Sequence, residues 1–527
     1  MPGSRTSHPL RTHYDVVELW SLRQDTLVEF PDDGEGDLVL MTRWGDVRLP
    51  GPDDTLCQTV ERMSYGPVSL GNVVPGFGTP GSGAEAARLA RALDTLQSVV
   101  VRSLATDTGR LLLSVVPISA DARFVPREPR DDVVHRLSRF ASLRVEEGGL
   151  CIESPLSAVR VSLHDVLAAW LAVCFSRPTS VREATALLGV PVSTVRSAVG
   201  YLAEAGLLVR GEPQQSGDGW EFAEDRDPAL VDWSPFDLMM HARSRLGRHD
   251  GPSGATYEPG ATTSPEPAVL PPRRAGTTAL PYPRLEQVLA EDPPVTLALE
   301  ALSMVRSYGD HPLTLAQLGK LLYRCARVRS LVADPAGDPY APLVTDRPYP
   351  SLGATYALEL YLTVSRCEGL DRGSYHYDPV HHTLRRVEAE PVLVDSLLAQ
   401  AQETAQLTGE PPLLITTTAR FRRATRKYSG FAYSALLKDV GALHQTLYLV
   451  CTAMGLAPCA LSTGDSDLAA RALGLDWRTE SSIGEFVLGT LPTAREDRQE
   501  RVVPVNGSDW RRRCVEALRR IVEQVAR

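Results

Sequence analysis

From Gly251 to Pro283 the chain reads GPSGATYEPGATTSPEPAVLPPRRAGTTALPYP, a run in which Pro, Gly, Ser and Thr displace any apolar periodicity. Such a run supplies no buried face for a helix or strand, so it separates two bodies as a linker or as an extended crossing segment. With 527 residues, the chain is too long for one compact domain. The expected division is a first module over 1–125, a second over 126–250, the Pro- and Gly-rich run over 251–283, and a C-terminal domain over 284–527.

Charge and hydropathy remove several function classes. A formal net charge of −10 argues against an electrostatic grip on nucleic acid or on anionic lipid. The longest apolar stretches, such as Val166 to Phe175, fall short of the roughly 20 residues a membrane helix needs. The opening MPGSRTSHPLRTHYD carries no signal-peptide core, so the expected location is cytoplasmic. Eight cysteines without a CxxC suggest neither a disulfide scaffold nor a zinc knuckle. Only Lys320, Lys427 and Lys438 among the 55 basic residues are lysines. A guanidinium stays protonated whereas an ammonium can be tuned to act as a base, so each surviving lysine raises a functional question.

Upstream of the break, two segments share one plan, short β-like runs before helical material. In the first, DTLVEF, DLVLMTRW and GDVRLP read as a small antiparallel sheet. Helices follow over Asp54 to Met63 and Ala84 to Leu96, then a hairpin turning at Asp107-Thr108-Gly109. In the second, ASLRVEEGGLCIES is a hairpin turning at Glu147-Gly148-Gly149. HDVLAAWLAVCF, TSVREATALLG and PVSTVRSAVGYLAEAGLLVRG then give three helices and a strand, the pattern of a winged helix-turn-helix. Residues 161–210 carry Arg177, Arg182, Arg196 and Arg210 against Asp165, Glu183 and Glu204, too little positive charge for a DNA footprint. Docking of a peptide or protein partner, or a structural role, suits this module better.

Downstream, Leu358, Leu360, Leu362 and Val364 alternate with Glu359, Tyr361 and Thr363, a strand with one buried face. Just before it, Pro350-Ser351-Leu352-Gly353-Ala354 sets polar groups beside residues almost without side chains, which lets a flat ligand approach the main chain. His381-His382 has no acidic or cysteine partners at metal-ligand spacing, and His376 reads as a strand residue between Tyr375 and Tyr377. Glu359 reads as a solvated or ion-paired carboxylate.

Residues 347–379, RPYPSLGATYALELYLTVSRCEGLDRGSYHYDP, resemble the signature of SagB-type flavin dehydrogenases, nitroreductase-like enzymes that mature thiazole- and oxazole-containing ribosomal peptides. The resemblance continues in order through Arg426-Lys427-Tyr428, Tyr433 to Leu437, Gly441 to Tyr448, Ala453 to Leu456 and Leu473 to Asp476, covering about 295–492. It implies an α+β, nitroreductase-like FMN-binding domain in the C-terminal half, preceded by two small winged-helix-like modules similar to peptide recognition elements. FMN in a crevice shared by a homodimer, a precursor peptide held by its leader, and a separate cyclodehydratase are implied with it. So is the reaction, oxidation of azoline rings to azoles.

That reaction removes a proton from the ring α-carbon and a hydride from its neighbour, so the site needs a base beside an oriented acceptor. Lys427 and Tyr428 match the Lys-Tyr pair of the family and are the expected catalytic residues. A lysine base must be neutral although its reference pKa is about 10.4, and Arg420, Arg422, Arg423 and Arg426, close in sequence, would lower it. Pro350, Ser351, Gly353, Ala354 and Gln445 match cofactor positions, and Gly464 matches a turn near the phosphate. The Arg-Arg-Ser-x-Arg-x-aromatic motif of the superfamily is reduced here to Arg306 and Tyr308, leaving Arg306, or another arginine in its place, as the expected phosphate partner. Ala442 and Thr446 replace the usual His and Asn. Two other readings stay open: an NAD(P)H-dependent nitroreductase-like flavoprotein acting on small molecules, or a flavin-free scaffold of the peptide-modifying complex.

Overall fold

A computed structural model describes residues 16–31, 36–78, 83–146, 149–252, 254, 266–271, 276–332, 343–492 and 508–525. Their contacts fall into two units, Met1–Gly251 and Pro252–Arg527.

The N-terminal unit begins with strands β1 (Val16–Leu22), β2 (Leu27–Glu29), β3 (Asp37–Thr42) and β4 (Gly45–Pro50), helices α1 (Asp54–Tyr65) and α2 (Ala84–Thr95), and the hairpin β5 (Val100–Thr106) and β6 (Leu111–Pro117). Strands β7 (Val134–Leu137), β8 (Ser142–Glu146), β9 (Gly149–Glu153) and β10 (Val159–Leu163) follow, then α3 (Val166–Cys174), β11 (Thr179–Ser180), α4 (Val181–Leu188) and α5 (Val192–Glu204). Strands β12 (Leu208–Pro213) and β13 (Trp220–Phe222) and helices α6 (Ala223–Arg226) and α7 (Pro235–Arg243) complete it. Asp53 starts α1 by accepting from the Leu56 amide at 2.9 Å, and Ser180 with Glu183 forms a capping box on α4. Part of the Glu147-Gly148-Gly149 turn lies outside the described residues.

Strands from both expected modules share one sheet, in the order β1-β5-β6-β10-β9-β8. The boundary at 125/126 therefore does not separate two sheets. Its cause is the apolar side of the β5–β6 hairpin: Leu104, Leu113 and Val115 join Leu167, Leu171, Val195 and Leu202 of α3 and α5 in one core. Buried apolar side chains of this size are worth about 1.5–3 kcal/mol each, enough to hold the hairpin on the second module's helices. On α5, Arg196 is committed to Asp131 by two bonds of 2.8 and 2.9 Å.

The C-terminal unit runs β14 (Thr277–Ala279), α8 (Leu285–Glu291), α9 (Val295–Ala301), β15 (Leu313–Thr314), α10 (Leu315–Ala326), β16 (Ser330–Val332) and β17 (Val344–Asp346). Next come β18 (Leu358–Val364), β19 (Cys367–Glu368), β20 (Gly373–Asp378), β21 (Thr383–Val387), α11 (Pro391–Ala405), β22 (Leu413–Arg420) and α12 (Phe421–Thr425). The last elements are α13 (Ala432–Ala453), β23 (Leu456–Ala460), α14 (Ser466–Leu473), β24 (Glu480–Thr490) and α15 (Ser508–Val525). Seven strands form an antiparallel sheet, β14-β21-β20-β18-β22-β24-β23. The end of the Pro- and Gly-rich run is thus an edge strand, Thr277 to Ala279 opposite Arg385 to Thr383. Among the described residues no helix is long and apolar enough to cross a membrane.

Strand β18 is buried on both faces, not one. Leu358, Leu360 and Leu362 pack with Leu318, Leu321 and Leu322 of α10 and Leu436, Leu443 and Leu447 of α13. On the other face, α11 and α14 cover Leu414 and Val487. Glu359 also lies on that face and is 1% exposed, with His376 Nε2 at 3.1 Å and Arg420 Nε at 3.3 Å. Burial works to raise its pKa, yet His376, Arg347 and Arg420 together hold it below the usual carboxylate range. The ion-paired alternative for Glu359 is the one observed.

Candidate active site

The loop before β18 adopts a conformation that L side chains resist. Gly353 sits at φ +61°, Ala354 at +52° and Tyr356 at +39°, in or near the left-handed region where only glycine is at ease. The strain is held by buried polar anchors. Ser351 Oγ donates to Asp439 Oδ2 at 2.5 Å, and the Leu352 amide donates to Asp439 Oδ1 at 2.9 Å. The Tyr356 amide donates to Ser351 Oγ at 3.0 Å, and Arg423 Nε to the Thr355 carbonyl at 2.9 Å. Burial raises the Asp439 carboxyl, partly offset by those two donors.

Lys427 and Tyr428 follow α12 and converge on this loop. Lys427 Nζ donates to the Gly353 carbonyl at 2.6 Å. A Cβ at Gly353 would collide with the Tyr428 hydroxyl and reach Lys427 Nζ at 3.1 Å. Gly353 is therefore required twice, by its φ and by this close approach. Tyr428 is buried and its ring lies 4.8 Å from Phe431. The neighbouring arginines are engaged elsewhere: Arg420 with Glu359 and the Pro267 carbonyl, Arg422 with Glu266, and Arg423 with the carbonyls of Thr355, Glu266 and Pro267. Burial, then Arg420 and Arg347, pull the Arg423 pKa down to about 10.

Of the residues expected from sequence, Ser351, Gly353, Lys427 and Tyr428 form one cluster, with Pro350 and Ala354 exposed in the same loop. Gln445 is exposed on α13, six residues beyond Asp439, about 9 Å along the axis. Arg306 is exposed and interacts with Cys459 of β23 and Tyr448 of α13, the latter one helical turn from Gln445. Gly464 lies against Glu485. A Cβ there would strike the carboxyl of buried Glu485, whose pKa burial raises. Two residues were missed. Asp439 pins the loop from 88 positions away, and its signal is an acid in the buried stripe 432, 435, 436, 439, 440, 443 and 447 of α13. Arg423 ties the loop to the 266–267 segment, with no signal beyond its basic cluster.

The exposed Gly353 and Ala354 put bare main chain on the open side of the loop, which fits one face of a flat, conjugated ring such as a flavin. For its phosphate, exposed Arg306 fits.

Residues 303–490 match the model of the nitroreductase family. Over those residues the C-terminal unit is similar to the nitroreductase family. That fold supports flavin binding. Residues 135–250 match a second model, that of the cyanobactin oxidase ThcOx. A nitroreductase-type protein of Methanocaldococcus jannaschii is 29% identical over 34% of this chain and 81% of its own length. The microcin B17-processing protein of Escherichia coli is 30% identical over 25% of this chain and 50% of its own. The trifolitoxin-processing protein of Rhizobium leguminosarum is 26% identical over 26% and 38%. The chain thus spans half or less of the two peptide-processing relatives. Together these matches bear out the resemblance drawn from residues 347–379.

Proposed function

We propose that this chain is an FMN-dependent azoline dehydrogenase, oxidising thiazoline or oxazoline rings of a ribosomally made peptide to azoles. The observation that carries this reading is the convergence of Lys427 Nζ and the Tyr428 hydroxyl on the exposed Gly353 loop. Ser351, Gly353, Ala354 and Gln445 would hold the flavin, with Arg306 toward its phosphate. A bound flavin would supply the hydride acceptor, with dioxygen as the terminal oxidant.

The protein residues supply position and a base. Asp439 fixes Ser351 and Leu352, so the loop presents its main chain in one conformation. Lys427 Nζ, released from the Gly353 carbonyl as a neutral amine, takes the proton from the ring α-carbon. Tyr428, buried against Phe431, keeps its hydroxyl on the same side and orients the ring or the amine.

Partners follow from this chemistry. A separate cyclodehydratase makes the azoline, the N-terminal unit docks the leader of the precursor, and a second copy completes the flavin crevice in the cytoplasm. Exposed Tyr433 and Leu437, on α13 with Gln445, support a covered face there. Incubating purified protein and FMN with an azoline peptide should remove two hydrogen atoms per ring by mass. An unchanged mass, with flavin bound and air present, would refute the activity.

A further inference from the structure

A cavity of about 940 Å³ lies in the N-terminal unit, near the top of the roughly 300–1,000 Å³ typical of ligand sites. Its floor is the face of the six-stranded sheet that turns away from the α3–α5 core. Strand pairing sets Ser103 opposite Ser114 and Ser114 opposite Ser162, a row of hydroxyls across β5, β6 and β10. At about 4.8 Å per strand the row spans roughly 10 Å, the length of about three extended residues. Val101 and Val116 flank it. Ser114 Oγ lies 2.7 Å from Ser103 Oγ and 2.9 Å from His164 Nε2, and burial holds the His164 pKa below its ordinary value.

The charged groups of the cavity are matched among themselves. Arg23 clasps Asp25 at 2.8 and 2.9 Å and reaches Asp250 at 3.1 Å. Arg160 meets Asp250 at 2.6 Å and Glu146 at 3.9 Å, and Arg43 meets Asp25 at 3.6 Å. Three guanidinium groups thus face three carboxylates. A charged ligand would have to break a partly buried pair, which leaves an uncompensated charge. Hydroxyls donate and accept equally well, so they suit amides and other hydroxyls.

We propose that this cavity binds an uncharged, polar segment of the precursor peptide, its main-chain and side-chain amides or hydroxyls meeting half-buried Ser162 at the open end of the row, with Ser103 and Ser114 buried beneath it. The proposal rests on the peptide-oxidising reading, but its test needs neither flavin nor azoline. Fluorescence anisotropy of the full chain would compare a labelled peptide of Ser, Asn, Gln and Gly with versions carrying paired Asp or paired Arg. The uncharged peptide should bind with a Kd of about 1 mM or tighter, and each charged version about tenfold more weakly or worse. Ser162→Phe, filling the floor, should weaken it about tenfold, and Ser162→Thr should not. Because the larger side chain could disturb the sheet, a benzophenone-bearing uncharged peptide on the unaltered protein gives a second readout, with cross-links expected at residues 21–26 or 63–67. Equal or tighter binding of a charged peptide, no binding of any, or cross-links confined elsewhere would overturn the proposal. Specific binding without azoline oxidation would instead overturn the enzymatic reading alone.

Discussion

In the C-terminal sheet Glu359, Tyr361 and Thr363 point away from the leucine face of β18 and are nonetheless buried. In the N-terminal sheet the corresponding non-core side, with Ser103, Ser114 and Ser162, borders a cavity. Both sheets follow the same alternation of two residues per pleat. They differ in how the second face is covered. In the C-terminal unit a second helical layer, and main-chain carbonyls of 266–271 bonded to Arg385, Arg420 and Arg423, close that face, and Glu359 pairs there with His376 and Arg420. The candidate site lies instead in the loop before β18. In the N-terminal unit Ser103 and Ser114 are buried too, but half-buried Ser162 and the mutually paired charges border the cavity.

The contrast breaks most readily at Glu359. Glu359→Ala would strand buried Arg420 and should cost about 3–5 kcal/mol, read as a fall of roughly 10 °C in the thermal midpoint. A shift near zero would mean that water reaches the pair and the second face is open. Asp439→Asn should lower turnover about tenfold, because the amide nitrogen cannot accept as the carboxylate oxygen does. The same change tests the pH dependence. Burial raises the Asp439 pKa above its unfolded value, so its contribution to stability is full below the usual carboxylate pKa and is lost as pH rises through the raised one. Asn should flatten that slope in denaturant titrations. Val145→Thr, on edge strand β8 and 81% exposed, should change stability by no more than about 0.5 kcal/mol. A larger loss would show that this edge is covered too.

Local patterns in the sequence carry much of this architecture. The break at Gly251, the helices α3, α4 and α5 and the strand β18 all follow from periodicity and turn residues. What stays hidden depends on packing between distant segments. The β6–β10 pairing merges two modules because their apolar faces share one core, and neither hairpin alone reveals that. The burial of Glu359 depends on a cover built largely from other parts of the chain. The Ser351 loop and Lys427-Tyr428 are legible through small residues and the scarcity of lysine. Asp439 is visible only once α13 is laid out as a helix with a buried stripe, and the packing of Gly464 against Glu485 has no local signal.

The central claim is that Lys427 moves the ring proton. Lys427→Ala, assayed beside the unaltered protein, should keep the absorption spectrum of bound FMN and lose azole formation by about a hundredfold or more, measured as the mass change of an azoline peptide. Unchanged turnover with flavin in place would contradict the account.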